Sequence, residues 1–167
     1  MRPETPRVLA PVLGKLRIVS LDNIREGCDL MWTMFILEAA PSLEELCITV
    51  WYHWCDQVPH WMRSKKKHVK WKPCDPDFKH DKLAKLTIFG FQPNKIFRGY
   101  VARVMEVAVR IKDVSLHDRK VCEFCNDNGV KVCPSRYPRT SQENDSCIKK
   151  ITGGLMKGSP TVIHFRS

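Results

Sequence analysis

The chain has no unbroken apolar stretch long enough to cross a bilayer. Its most apolar segment, Leu30 to Ala40, is interrupted by Glu38 and reaches about half of the ~20 residues a spanning helix needs, which excludes a membrane span. Between Met1 and Gly14 the chain carries Pro3, Pro6 and Pro11 and no apolar run of the length a secretory leader requires, so no export signal is expected. Catalytic signatures are equally scarce. There is no G-x-S-x-G, no H-E-x-x-H and no phosphate-cradling glycine loop, and His53, His60, His68, His80 and His164 are scattered. The carboxylates that stand close together, Glu44-Glu45 and Glu26 with Asp29, fall at junctions or helix starts, where they serve solvation and capping. These absences argue against an enzyme, and they lead us to expect an intracellular protein of the cytoplasm or nucleus that needs no cofactor.

What is present suits one packed domain: 167 residues, of which 43% are hydrophobic and 28% charged. The cysteines at 28, 47, 55, 74, 122, 125, 133 and 147, without an export signal, read as reduced thiols. The formal charge of +10 favours acidic partners, protein or nucleic acid, without choosing between them.

One apolar register, L-x-x-L-x-L, recurs four times: Leu13-Leu16-Ile18, Leu43-Leu46-Ile48, Leu83-Leu86-Ile88 and Ile111-Val114-Leu116. The middle residues are separated by 30, 40 and 28 positions, and the longest interval holds an insertion at about 51–80. Alternation in Leu46-Cys47-Ile48-Thr49-Val50 is that of a half-buried strand. Between strands, Ile96, Phe97, Tyr100, Val101, Val104, Met105 and Ala108 recur at helical spacing, and Asp29 is placed to cap a helix through Leu30, Met34, Leu37 and Ala40 that stops before Pro41. A strand–helix unit at this period cannot bury its apolar face alone. The expected fold is therefore α/β: a short leucine-rich-repeat-like solenoid of parallel strands. An ordinary α/β domain whose strands share a register by coincidence is the competing reading. After Leu116, Thr140-Ser141-Gln142-Glu143 offers a capping box for a helix carrying Ile148, Ile151 and Leu155, and Val162, Ile163 and Phe165 form a short closing strand. The organisation expected is an N-terminal tail at 1–12, repeats over 13–118 and a modified cap over 119–167.

These residues resemble plant F-box proteins with leucine-rich repeats and a carboxy-terminal FBD-type region. The resemblance rests on Leu16-Arg17-Ile18-Val19, on Ile36 to Leu46 (ILEAAPSLEEL), on Leu83 to Phe91 (LAKLTIFGF), on Val104-Met105-Glu106, on Val114 to Asp118 and on Cys133 to Thr140 (CPSRYPRT). It implies that the repeats hold a protein destined for ubiquitination, while an F-box recruits the adaptor of a cullin-RING ligase. No F-box-like helical segment precedes Leu13, so that adaptor is expected as a partner only where an F-box is supplied elsewhere.

The expected binding surface is the concave strand face. It includes Arg17, Val19, Cys47, Thr49, Thr87 and Ser115, with Trp51, Trp54, Trp61 and Trp71 of the insertion at its edge and an unknown target protein as partner. Over 51–80 seven Lys or Arg outnumber three acids. Such a basic aromatic segment also suits single-stranded nucleic acid, which is the alternative, and it suits a plainly solvated loop. Cys122, Cys125 and Cys133 with His117 are candidate ligands for a structural zinc, although the second closely spaced ligand pair of a zinc module is absent, so reduced cysteines in a hairpin loop compete with that reading.

Overall fold

Among the described residues, five stretches of alternating side chains and four helical segments follow one another. The structure, a computed structural model, describes residues 6–51, 75–120, 134–153 and 161–166. In chain order these hold helix α1 (Pro6–Leu13), strand β1 (Ile18–Arg25), a 3-10 turn (Leu30–Thr33) running into helix α2 (Met34–Ala39), strands β2 (Glu45–Trp51) and β3 (Lys85–Phe89), helix α3 (Lys95–Val107), strand β4 (Asp113–His117), helix α4 (Ser141–Thr152) and strand β5 (Val162–Arg166). All five strands are parallel, in the order β1-β2-β3-β4-β5. Each strand adds beside its predecessor, which is the solenoid growth expected of stacked repeats.

Local signals explain the helix boundaries. The Asp29 carboxylate accepts from Met31 N (2.9 Å) at the start of the 3-10 turn, and α2 ends before Pro41. Asn94 caps α3 by accepting from Phe97 N (3.0 Å), and Phe97, Tyr100, Val101, Val104 and Val107 form its buried stripe. The capping box at α4 is complete: Glu143 N donates to Thr140 Oγ1 (3.2 Å) and Thr140 N donates to Glu143 Oε2 (3.0 Å).

The core lies on one face of the sheet. Leu46, Ile48, Leu86, Ile88, Val114 and Leu116 are essentially inaccessible, and they pack against Leu37, Tyr100, Val101 and Val104 from the helices. Each such side chain stabilises the fold by roughly 1.5–3 kcal/mol relative to exposure. A hydroxyl pair inside is satisfied. Thr33 Oγ1 donates to Leu30 O (2.9 Å) and accepts from the Tyr100 hydroxyl (2.6 Å), whose burial raises its pKa well above the ordinary phenol range.

The first repeat differs from its expected register. Val19 pairs with Leu46 and Leu21 with Ile48, so the repeat triplet is Leu16-Val19-Leu21 rather than Leu13-Leu16-Ile18. Leu13 instead ends α1, which occupies most of the segment expected to be a tail, and Ile18 is 65% exposed. The cause is the ladder. Arg17 O accepts from both Glu44 N (2.7 Å) and Glu45 N (3.0 Å), which fixes the parity of everything after it. A bulge between Leu21 and Ile24, with Asn23 at φ 61°, then returns Ile24 to the core side opposite Val50. The correction takes Arg17 and Val19 off the outward face: Val19 packs against the core, and Arg17 makes a bidentate pair with Glu44.

The double acceptance recurs at the next two junctions. Glu44 O accepts from Ala84 N and Lys85 N (2.9 and 3.1 Å), and Ala84 O accepts from Lys112 N and Asp113 N (2.9 and 3.2 Å). His80, two residues after Phe78, takes the position that Ala40 and Ala108 hold in neighbouring repeats. Its Nδ1 accepts from Leu83 N (3.0 Å), leaving Nε2–H to donate to Ala40 O (3.1 Å), while its backbone bonds Val107 O and Val109 N. The insertion expected at about 51–80 lies for residues 52–74 outside the described residues. Of the expected cap, the run from Pro134 to Thr140 is fastened to the end of β4. Ser135 Oγ and Arg139 bond the Asp118 carboxylate, and the Tyr137 hydroxyl donates to Leu116 O (2.7 Å).

Two measurements check this packing. Gly90 sits at φ +80°, and a Cβ there would stand 2.3 Å from Val50 O, whereas Gly27 at φ +82° has nothing within 4 Å. In urea unfolding Gly27→Ala is expected to cost about 1 kcal/mol and Gly90→Ala about 2–4 kcal/mol, because only the latter also displaces a neighbouring strand. Equal losses would mean that the β2–β3 contact is looser than described. His80→Ala, which strands the amides of the β3 entry, is expected to cost about 2–3 kcal/mol in the same assay. A loss within about 0.5 kcal/mol, the range of a neutral surface change, would remove its bridging role.

Candidate functional site: the open face of the sheet

Because every core strand buries one parity, the other parity forms a second face, and none of the described helices packs on it. In-register pairing arranges that face in rows. The first row is Ile18, Glu45, Lys85, Asp113 and Val162; the second is Ser20, Cys47, Thr87, Ser115 and His164; the third is Thr49, Phe89, His117 and Arg166. Trp51, 40% exposed, stands beyond Thr49 at the end of β2.

The first two rows satisfy their own charges. Lys85 Nζ lies 3.4 Å from Glu45 Oε2, Ser115 Oγ donates to Asp113 Oδ1 (2.7 Å), and His164 Nε2 stands 3.6 Å from Asp113 Oδ2. Burial raises the Cys47 pKa against the opposing hydrogen bond from Ser20, which favours its thiol form. The third row is different in kind. The rings of Phe89 and His117 stack with centroids 4.4 Å apart at 30°, and Lys120 Nζ lies 5.7 Å from the Phe89 ring centre. Burial, reinforced by the Arg166 charge, lowers the His117 pKa below its ordinary value. Behind this row, Tyr137 is pushed up to about 12 by burial, so the hydroxyl that holds the cap to Leu116 stays protonated.

Of the residues expected to bind protein, the structure brings Thr49, Trp51 and Thr87 together on this face. Ser115 is on it too but is 4% exposed, its hydroxyl engaged by Asp113. Arg17 stands apart beside Glu44. Trp54, Trp61 and Trp71 lie outside the described residues, as do Cys122, Cys125 and Cys133 of the zinc set; the remaining member, His117, lies against Phe89. Among the described residues no group of three or more His, Cys, Asp or Glu could hold a metal ion, and no helix is long and apolar enough to cross a membrane. Phe89, Lys120 and Arg166 were not anticipated as site residues. Extending the Thr87 alternation by one step would have found Phe89.

Strands added one at a time in register, with the described helices on one face and none of them on the other, define a leucine-rich-repeat domain. The chain belongs to the At1g61320/AtMIF1 LRR domain family, whose model matches residues 6–166. Neither the curated proteins nor the solved structures contain a match. Domains of this class are in general interaction modules rather than enzymes.

The stacked His117 provides a pH test. Its folded pKa is depressed, so the folded state resists protonation. The stabilisation is present above the ordinary histidine value of 6.5 and is lost as pH falls through the folded pKa. The His117 resonance in an NMR titration is expected to have a midpoint below 6.5, and His117→Phe is expected to flatten the fall in stability below that pH. A midpoint above 6.5 would contradict the stacked, Arg166-flanked placement.

Proposed function

We propose that this chain is the target-holding part of a ubiquitin-ligase receptor of the F-box type, its open sheet face gripping the protein to be ubiquitinated and its FBD-like ending closing the stack. The observation that carries this reading is the third row with Trp51 beyond it, over which no described helix packs: Trp51, Phe89 and His117 present aromatic surface beside Lys120 and Arg166, the residue types that anchor protein interfaces. The membership in a leucine-rich-repeat family supports the same class. The run from Cys133 to Thr140, which carries much of the likeness to FBD-type endings, has from Pro134 onward a clamping role on β4 that fits a cap. The chain delivers its target only through an F-box supplied by another segment or protein.

The test is affinity purification of the tagged chain from plant cell extract at moderate salt, beside the Thr87→Arg variant, which sets a bulky charge in the centre of the face. Recovery of cullin-ligase adaptor subunits together with a target protein that Thr87→Arg loses by tenfold or more is the expected result. Retention of every protein by Thr87→Arg would remove the open face from the interaction. Predominance of RNA or DNA would overturn the protein-recognition reading.

A further inference from the structure

The three rows of the open face differ in how their charges are balanced. In the first, Glu45 is matched by Lys85; in the second, Asp113, reaching up from the first, faces His164 and takes the Ser115 hydroxyl. At the β1 edge Asp22 lies near enough to Cys47 to raise its pKa. The third row, from Thr49 to Arg166, contains no acid. The neighbouring carboxylate Asp118 has a side chain only 15% exposed and is engaged by Arg139, Ser135 and Arg119 N. The cations Lys120 and Arg166 therefore flank an aromatic stack and have no carboxylate of this chain, among the described residues, to meet.

We infer that this end of the face takes an acidic segment of a partner protein, one apolar or aromatic side chain lying on the Phe89–His117 stack and flanking carboxylates meeting Lys120 and Arg166. The assignment rests on the protein-recognition reading above and adds the chemistry of the partner. A stacked pair offers a flat apolar area at little cost in side-chain entropy, and a guanidinium offers a carboxylate two parallel donors. A continuous polyanion fits less well. Glu45 and Asp113 in the adjoining rows, with Asp22 near Cys47, repel a phosphate backbone running across the strands, and two cations are few for tracking one. Arg166 is delivered to His117 by the β4–β5 register, so the closing strand completes the site as well as the core.

The probe is a short fluorescein-labelled synthetic peptide with a central Trp flanked on each side by Glu in a Gly-Ser frame. Two companions replace the Trp by Gly or every Glu by Lys, and a short oligothymidylate serves as the polyanion. Binding is followed by fluorescence anisotropy on the full chain and on Phe89→Ala, Arg166→Glu and Lys120→Glu, with thermal unfolding confirming that each variant folds. The acidic Trp peptide is expected to bind, to weaken roughly tenfold on Phe89→Ala and more on Arg166→Glu, and to outbind both companions and the oligonucleotide. Absence of binding, binding indifferent to these substitutions, or tighter binding of oligothymidylate overturns the assignment. The failures are separable: a cellular target lost by Thr87→Arg but retained by Phe89→Ala and Arg166→Glu keeps the face as a recognition surface and removes only the acidic-segment chemistry.

Discussion

A strand covered by helices on one side can bury its apolar side chains only if the next strand presents them at the same height. That height is set by one carbonyl per repeat, Arg17 O, Glu44 O and Ala84 O, each receiving two successive amides from the following unit. The hydrogen bonds are ordinary, but a slip of one residue would turn Leu86 and Ile88 outward and Thr87 inward, at roughly 1.5–3 kcal/mol for each large apolar side chain. Register is thus enforced by the core and transmitted by the ladder. Everything else, including the composition of the open face, follows from it.

The same constraint explains why the crossovers vary so much while the sheet does not. Lengthening a connection adds little closure entropy, so the long interval between β2 and β3 leaves the pairing of Leu46 with Leu86 intact. Where the chain returns from that interval, His80 bridges to Ala40 O and to the backbone on either side of Ala108, joining three units at the entrance of β3. At the far end Asp118, Ser135, Arg139 and Tyr137 fasten the last excursion to β4, and β5 then extends the sheet rather than merely covering it. Recognition surface and stability are products of one arrangement. Residues of one parity make the core, and those of the other stand in rows with no described helix over them.

The α/β class, the parallel repeat and the helix caps were legible because their causes are local: Leu-x-Ile alternation, Asp29 before an apolar run, and Thr140 three residues before Glu143. The first register was not. Leu16-Arg17-Ile18 and Val19-Ser20-Leu21 both alternate, and the choice between them is made by amides of Glu44 and Glu45, far along the chain. Helix α1 was masked by Pro11, which lacks the amide a helix interior uses. On the face, Thr49 and Thr87 were found by extending alternation, whereas Phe89, His117 and Arg166 belong to separate units and meet only through pairing. Single-repeat reasoning cannot see a row.

The register of β1 against β2 underlies both faces of the sheet, and cysteine cross-linking reads it directly. Adjacent parallel strands lie about 4.8 Å apart, within the span of about 4.4–6.8 Å that disulfides bridge between Cα atoms. With the native Cys47 as one partner, Ser20→Cys is expected to cross-link on mild oxidation, identified by mass spectrometry of the digest, because Ser20 and Cys47 are register partners. Arg17→Cys is expected to remain reduced. Cross-linking through position 17 in preference to position 20 would restore Leu16 and Ile18 to the core, reverse the two faces of the first strand and contradict the account.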